Sequence, residues 1–137
     1  MAATQHAIDL ARAAASAAED KLATKIVALD VSEQLALTDI FLLASAPNDR
    51  QVNAIVDSIE DSLRALGVKP VRREGERDGR WVLIDFADIV VHVLHTEERE
   101  YYGLERLWKD CPSVPLPAEV YGPPADTDPT PAASSGA

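Results

Sequence analysis

The chain has 137 residues, enough for one domain with a substantial core and too few for two. With 13 Lys and Arg against 23 Asp and Glu, its net charge is −10. Nucleic acid phosphates repel such a chain, which excludes direct DNA or RNA binding as the expected main activity and suits a basic partner better. A single cysteine, Cys111, excludes an internal disulfide framework and fits a reducing cytoplasm. Without a secretory signal or a membrane-length apolar run, we expect a cytoplasmic protein with no membrane partner.

The first predicted element is an alanine-rich helix from about Thr4 to Ala23, because alanine has the highest intrinsic helix propensity. Its apolar stripe is thin and consists of Ile8, Ala11, Ala15, Ala18 and Leu22. Such a stripe predicts either close packing through small side chains or contact with a second copy of the chain. The sequence leaves both possibilities open.

Two strands and a long helix follow. The apolar segments from Lys25 to Val31 and from Asp39 to Ala46 are short enough to be strands, and the second is apolar throughout, which predicts a central position in the sheet. The segment from Asp49 to Leu66 has the clearest helical periodicity of the chain. Asn48 is suited to cap the start of this helix, and Gly67 follows its end, where a positive φ favours glycine.

A short charged strand from Val68 to Arg73 is suited to a sheet edge, and a β-hairpin comes after it. The hairpin strands are Trp81 to Phe86 and Ile89 to His95, joined by Ala87 and Asp88. Side chains alternate between the two faces of a sheet. Pairing across the loop therefore gives one wholly apolar face, which we expect to be core: Val82, Ile84, Phe86, Ile89, Val91 and Val93.

The other face of the hairpin, called the mixed face below, consists of Trp81, Leu83, Asp85, Val90, His92 and Leu94. It is apolar but interrupted by a carboxylate and an imidazole. One interpretation is a second buried face, since strands covered on both sides are apolar throughout. The other is a surface for a protein partner, because tryptophan is favoured at the centre of interfaces. Residue types alone favour the buried face.

The last predicted helix runs from Glu97 to about Lys109, with Thr96 as its cap. Prolines become frequent after Cys111, and they forbid regular structure. We therefore predict a domain over residues 1–111 and a Pro-rich, disordered tail over residues 112–137. The element order α-β-β-α-β-β-β-α predicts an α/β (α+β) fold, a mixed sheet of about five strands flanked by helices.

An enzyme would have to use the acidic residues and the histidines. Asp39, Asp85 and Asp88 could form a carboxylate set for Mg²⁺ in phosphoryl transfer. However, aspartates beside a turn are common for backbone reasons, and His92 and His95 point to opposite faces of one strand. No glycine-rich phosphate loop precedes the long helix. We therefore predict no catalytic residue, no metal site and no cofactor.

Three segments together resemble one family. EDKLATKIVALDV is similar to that family's first helix end and strand, and TDIFLLASAPNDRQVNAIVDSI is similar to its T-D-x-F strand followed by R-Q-V and a helix. GRWVLIDFADIVVHVLHTEEREYYGLERLW contains the signatures W-V-L-x-D, D-x-V-V-H and L-E-R-L-W. From about Asp20 to Cys111 the chain resembles the ribosomal silencing factors, also called Iojap-like proteins. It departs from them at Ala87, where many members have glycine, and at Gly103, where many have a polar residue.

The resemblance implies a binding protein rather than an enzyme. Members of this family dock on a large-subunit ribosomal protein, protein fourteen, at the face that meets the small subunit. Their bulk blocks subunit joining and lowers translation when nutrients are short. The family's fold is similar to that of nucleotidyltransferases but lacks their catalytic residues. Homodimers are reported for the family, so the resemblance also implies a homodimer in the absence of the ribosome.

The resemblance favours the partner-surface interpretation of the mixed face. The residues that it implies as contacts with the ribosomal protein are Trp81, Asp85, Val90, His92, Leu94, Glu98, Tyr101 and Tyr102. Arg50 and Gln51 match the family's R-Q-V, but the sequence assigns them no role. Two alternatives stay open: a metal-dependent nucleotidyltransferase, and a dimeric scaffold without ribosome binding that uses the alanine-rich helix as its interface.

Overall fold

The computed structural model describes residues 2–75, 80–103, 106 and 109–117. Within these ranges it has three helices and five strands, in the predicted order. They are α1 (Gln5–Asp20), β1 (Thr24–Asp30), β2 (Ile40–Ala46), α2 (Asp49–Ala65), β3 (Arg72–Glu74), β4 (Trp81–Asp85), β5 (Ile89–His95) and α3 (Thr96–Tyr102). No helix in the described part of the chain is long and apolar enough to cross a membrane.

The five strands form one mixed sheet in the order β1-β2-β5-β4-β3. β2 and β5 are parallel, and the other neighbours are antiparallel. β2 is an interior strand, as its apolar sequence predicts, but the centre of the sheet is β5, which is buried over almost its whole length. β3 is an edge strand as predicted, although it is shorter than predicted and begins only at Arg72.

The hairpin of β4 and β5 has the predicted register. Ile84 pairs with Val91, Val82 pairs with Val93, and the sheet continues to a hydrogen bond from the Phe86 N–H to the Ile89 carbonyl. All six residues predicted as the core face are buried. The hydrophobic periodicity of the two strands therefore sets the register, because a slip by one residue would expose this face.

Ala87 in the hairpin loop has a φ of 74°, in the left-handed region. The Asp85 carboxylate stabilises this turn by accepting a hydrogen bond of 2.8 Å from the Ala87 N–H. A side chain with a Cβ is strained in this conformation, whereas glycine is not. Backbone conformation would therefore explain a glycine at this position, where the resemblance implies one in many family members.

Helices α1 and α2 pack on one face of the sheet and against each other. The close approach uses the alanines of α1, and Ser58 of α2 donates a hydrogen bond of 3.1 Å to the Ala17 carbonyl. Leu22, predicted in the apolar stripe, is instead 73% exposed, and Leu10 is buried in the core. The alanines of this stripe are already buried within one chain. The alternative of a dimeric scaffold that uses them as its interface is therefore wrong.

The residues after α3 return to the sheet and lie along the outer edge of β1. The Asp30 N–H donates to the Pro112 carbonyl and the Val114 N–H donates to the Ala28 carbonyl, both at 2.8 Å. Val114 and Leu116 are buried in the main core. Proline lacks a backbone donor but keeps its acceptor, so an extended Pro-rich segment can still pair with an edge. The predicted boundary at residue 111 is therefore wrong for residues 112–117, and residues 118–137 lie outside the described ones.

Helix α3 begins and ends differently from the prediction. Its cap is His95, whose Nδ1 accepts a hydrogen bond of 3.2 Å from the Glu97 N–H, and Thr96 is already helical. The helix ends at Gly103, which has a φ of 57° and donates its N–H to the Arg99 carbonyl. The rest of the predicted helix, Trp108 included, lies mostly outside the described residues.

We expect Leu116→Ala to lower the free energy of unfolding by about 2 to 3 kcal/mol, because it removes a side chain that is only 8% exposed. Urea denaturation measures the change. Ser113→Ala, an exposed neighbour in the same segment, is the control and should unfold at almost the wild-type urea concentration. Equal midpoints for the two variants would show that the segment does not contribute to the core.

We expect Ala87→Gly to raise the free energy of unfolding by about 0.5 to 1 kcal/mol, because glycine adopts the left-handed conformation without strain. Ala54→Gly, within α2, is the matched control and should lower stability by about 1 kcal/mol. Thermal or urea denaturation checks both. A loss of stability in Ala87→Gly would contradict the strained conformation of the loop.

A candidate protein-binding face on the sheet

The mixed face lies on the side of the sheet opposite α1 and α2. Its side chains alternate along β4 and β5 with the core residues that contact the helices. β2 adds Phe41, which pairs in parallel register with Val90. Of these residues, Phe41, Trp81 and Leu83 are only partly buried, so an apolar and aromatic surface is open to a partner.

Three rings form the centre of this surface. The Trp81 Nε1–H donates a hydrogen bond of 3.1 Å to Nδ1 of His92, and the two ring centroids are 6.1 Å apart. Phe41 packs edge-on against the imidazole, with centroids 5.0 Å apart. His92 therefore holds the indole of Trp81 in one orientation. Phe41 is not among the predicted contacts, because only the parallel pairing of β2 with β5 places it here.

The imidazole of His92 is neutral at physiological pH. Its side chain lies mostly beneath the surface, with 8% of the residue exposed, and burial lowers its pKa from 6.5 to about 4. Because Nδ1 accepts the hydrogen bond from Trp81, the proton of the neutral ring is on Nε2. Nε2 is buried and has no hydrogen-bond partner among the described residues.

Charged residues surround the aromatic centre. The Asp85 carboxylate lies 3.4 Å from Nε of Arg72. The Glu98 carboxylate lies 3.0 Å from Nε of Arg80, and that of Glu97 lies 3.3 Å from Nη2 of the same arginine. Ion pairs this close to water contribute little to stability. They leave acidic groups at the rim, where a basic partner can reach them.

The structure corrects one predicted contact. Leu94 is 0% exposed and belongs to a second core cluster with Leu29, Val31, Leu43 and Cys111. The end of the sheet near Leu94 is covered by α3, whose Arg99 Nη1 donates to the Ser45 hydroxyl at 3.2 Å. Leu94 therefore supports the surface from below and is not available to a partner.

The other predicted contacts are in different positions relative to this surface. The structure brings Trp81, Asp85 and His92 together with Val90, of which only a small part is accessible. Glu98 is at the rim, and Tyr101 on α3 is 79% exposed. The side chain of Tyr102 lies outside the described ones.

Gln51 has a structural role that the sequence does not reveal. Its side-chain Nε2 donates to the carbonyls of Lys21 and Leu22, at 2.9 and 3.1 Å. These carbonyls come directly after α1, and Leu22 has a φ of 65°. Gln51 thus joins the start of α2 to the end of α1, on the opposite side of the sheet from the mixed face. Arg50 lines the shallow groove beside it.

Two of the three carboxylates suggested for an enzyme accept hydrogen bonds from the backbone, and the carboxylate of the third, Asp88, lies 3.6 Å from Nε2 of His6. The Asp39 carboxylate accepts a hydrogen bond of 2.9 Å from the Thr4 N–H, and Asp85 accepts one from the Ala87 N–H. Among the described residues, no group of three or more His, Cys, Asp or Glu side chains could hold a metal ion.

An aromatic centre with a charged rim on an open sheet face has the anatomy of a protein–protein interface, so the fold and the site define a binding protein. Comparison with known proteins identifies its kind. The family model described as "Ribosomal silencing factor during starvation" matches residues 4–136. The chain belongs to this family, whose role is regulatory and not enzymatic, and the nucleotidyltransferase alternative is therefore wrong.

Relatives are found both by sequence and by structure. The chain is 44% identical over 103 residues to ribosomal silencing factor RsfS of Bacillus subtilis, covering 75% of this chain and 87% of that one. It is similar to a crystal structure from Chromobacterium violaceum, with a TM-score of 0.71, 37% identity, and coverage of 74% and 84%. It is also 30% identical over 89 residues to the mouse protein named mitochondrial assembly of ribosomal large subunit protein 1, covering 63% and 39%.

The lowered pKa of His92 predicts a stability that depends on pH. As the pH falls from about 6.5 to 4, the unfolded chain binds a proton at this histidine that the folded chain does not bind. The free energy of unfolding should therefore decrease by about 3 kcal/mol from this residue between pH 7 and pH 4. Urea denaturation at several pH values measures it.

The control for this prediction is His92→Asn, which cannot titrate. Between pH 7 and pH 4, the free energy of unfolding of this variant should decrease less than that of the wild type, because only the other groups still titrate. Parallel pH profiles for the wild type and the variant would show that the imidazole is protonated at similar pH in the folded and unfolded states.

Proposed function

We propose that this protein represses translation by docking its mixed face on a large-subunit ribosomal protein, protein fourteen, at the interface between the subunits. Its bulk then blocks the small subunit sterically and lowers translation under nutrient limitation. The observation that carries the proposal is the open aromatic surface centred on Trp81, in a chain that belongs to the ribosomal silencing factors. The surface has no catalytic role to explain it.

The fixed orientation of Trp81 supports a role as a binding anchor. Tryptophan is enriched among the few interface residues that contribute most of the binding free energy. An interface side chain that is already ordered loses less conformational entropy on binding. The hydrogen bond to His92 and the packing of Phe41 order this indole before any partner arrives.

Charge supports a basic protein partner and argues against direct binding to rRNA. The net charge is −10, and acidic side chains such as Asp85 and Glu98 surround the mixed face. Complementary charge speeds the encounter with a basic ribosomal protein, whereas like charge opposes approach to nearby phosphates. Association should therefore become slower as the salt concentration rises.

The name of one relative supports the large subunit as the place of binding. The mouse relative is named for assembly of the ribosomal large subunit, which ties that protein to the same particle. The proposal includes a cytoplasmic location, a homodimer in the absence of the ribosome, and no DNA or membrane partner. The homodimer has to use a surface other than the alanine stripe of α1, which is buried.

Trp81→Ala tests the proposal. We expect the wild-type protein to lower the joined peak when purified small and large subunits are mixed and separated on a sucrose gradient, and to migrate with the large subunit. The variant should lose at least about 2 kcal/mol of binding free energy, about thirtyfold in affinity, because it removes the aromatic anchor.

The matched control is Leu66→Ala, which truncates an exposed apolar residue at the end of α2, away from the mixed face. It should inhibit joining as the wild type does. Circular dichroism checks that both variants are folded. A wild-type protein that leaves joining unchanged and stays at the top of the gradient would refute the proposal.

A further inference from the structure

The polar atom that remains unexplained in the centre of the mixed face is Nε2 of His92. The Trp81 hydrogen bond to Nδ1 forces Nε2 to carry the proton, so it is a donor and cannot be an acceptor. It is buried and has no hydrogen-bond partner in the part of the chain that the structure describes, and His92 as a residue is only 8% exposed. A buried donor without an acceptor destabilises the free protein.

We propose that His92 determines the specificity of the mixed face, by donating a hydrogen bond from its Nε2–H to a main-chain carbonyl oxygen of the docked protein. This inference rests on the proposed function and adds the chemistry that the partner must supply. A partner with an apolar group at this point would leave the donor unpaired and would bind more weakly. The donor thus discriminates among proteins that could otherwise cover the same aromatic surface.

The neighbouring ring of Phe41 allows a partner to reach this nitrogen. Phe41 contacts the imidazole edge-on and is only partly buried, so its ring can rotate as the partner displaces water from the surface, while the hydrogen bond to His92 keeps Trp81 in place. The strand carrying His92 is held between β2 and β4 and cannot shift as easily. The donor therefore stays at a fixed depth, and the acceptor of the partner has to protrude to meet it.

Two substitutions distinguish the role of Nδ1 from the role of Nε2. His92→Asn keeps an acceptor near the position of Nδ1, so Trp81 can still be held, but it removes the donor. His92→Gln keeps a donor near the position of Nε2 and removes the acceptor for Trp81. Both variants lose the ring contact with Phe41, and thermal denaturation should show similar decreases in Tm for the two.

The experiment is a titration of the full-length protein against purified large ribosomal subunits. We expect His92→Asn to raise the Kd about tenfold, because a net hydrogen bond contributes about that much. His92→Gln should raise the Kd by a smaller factor, about threefold, because it keeps the donor but loses the acceptor that orders Trp81. A purely structural role for His92 would instead weaken binding in proportion to the loss in Tm, equally for both variants.

Different failures have different meanings. If the wild type binds large subunits and His92→Asn binds as tightly, the inference about the donor is overturned and the proposed function stands. If His92→Gln weakens binding as much as His92→Asn, the donor is again not the determinant, and the inference is overturned. If the wild type does not bind large subunits at all, the proposed function fails, and the inference fails with it.

Discussion

The parallel pairing of β2 with β5 is the constraint on which the rest of the structure depends. It joins the N-terminal half of the chain to the hairpin, and its register sets Phe41 beside Val90 and Leu43 beside His92. One face of this strand pair packs against α1 and α2, and the other face contributes to the aromatic centre of the mixed face. The core and the candidate site are therefore two faces of the same strand pair, and a change in register would destroy both.

The sheet is covered unequally, and this asymmetry separates stability from function. Among the described residues, the two long helices bury one face, whereas α3 and Cys111 cover one end of the other, where Leu94 lies. An apolar surface left open to water increases the risk of non-specific association. The charged rim around Trp81 reduces that risk, and the C-terminal segment pairs with the edge of β1 that would otherwise be open to other chains.

Local signals in the sequence predict much of this fold. The alternation in β4 and β5 gives the hairpin register, and Asn48 and Gly67 bound α2, because each signal acts over a few residues. Some errors are local, such as the cap of α3, and others concern contacts between distant segments. Burial of Leu94 depends on residues that follow α3, and the role of Gln51 depends on carbonyls thirty residues earlier in the chain. Composition identified prolines after Cys111 but could not show that β1 has an open edge for them to pair with.

The Trp81–His92 pair orders the centre of the mixed face without making that face wholly apolar. A wholly apolar patch would bind almost any hydrophobic partner, which gives affinity without selectivity. Placing an imidazole under the indole costs desolvation, but it fixes the tryptophan and leaves one donor with a defined direction. Because burial keeps this ring neutral at physiological pH, the direction of the hydrogen bond between the two side chains does not change with ordinary variation in pH. The indole of Trp81 therefore keeps one orientation in the free protein.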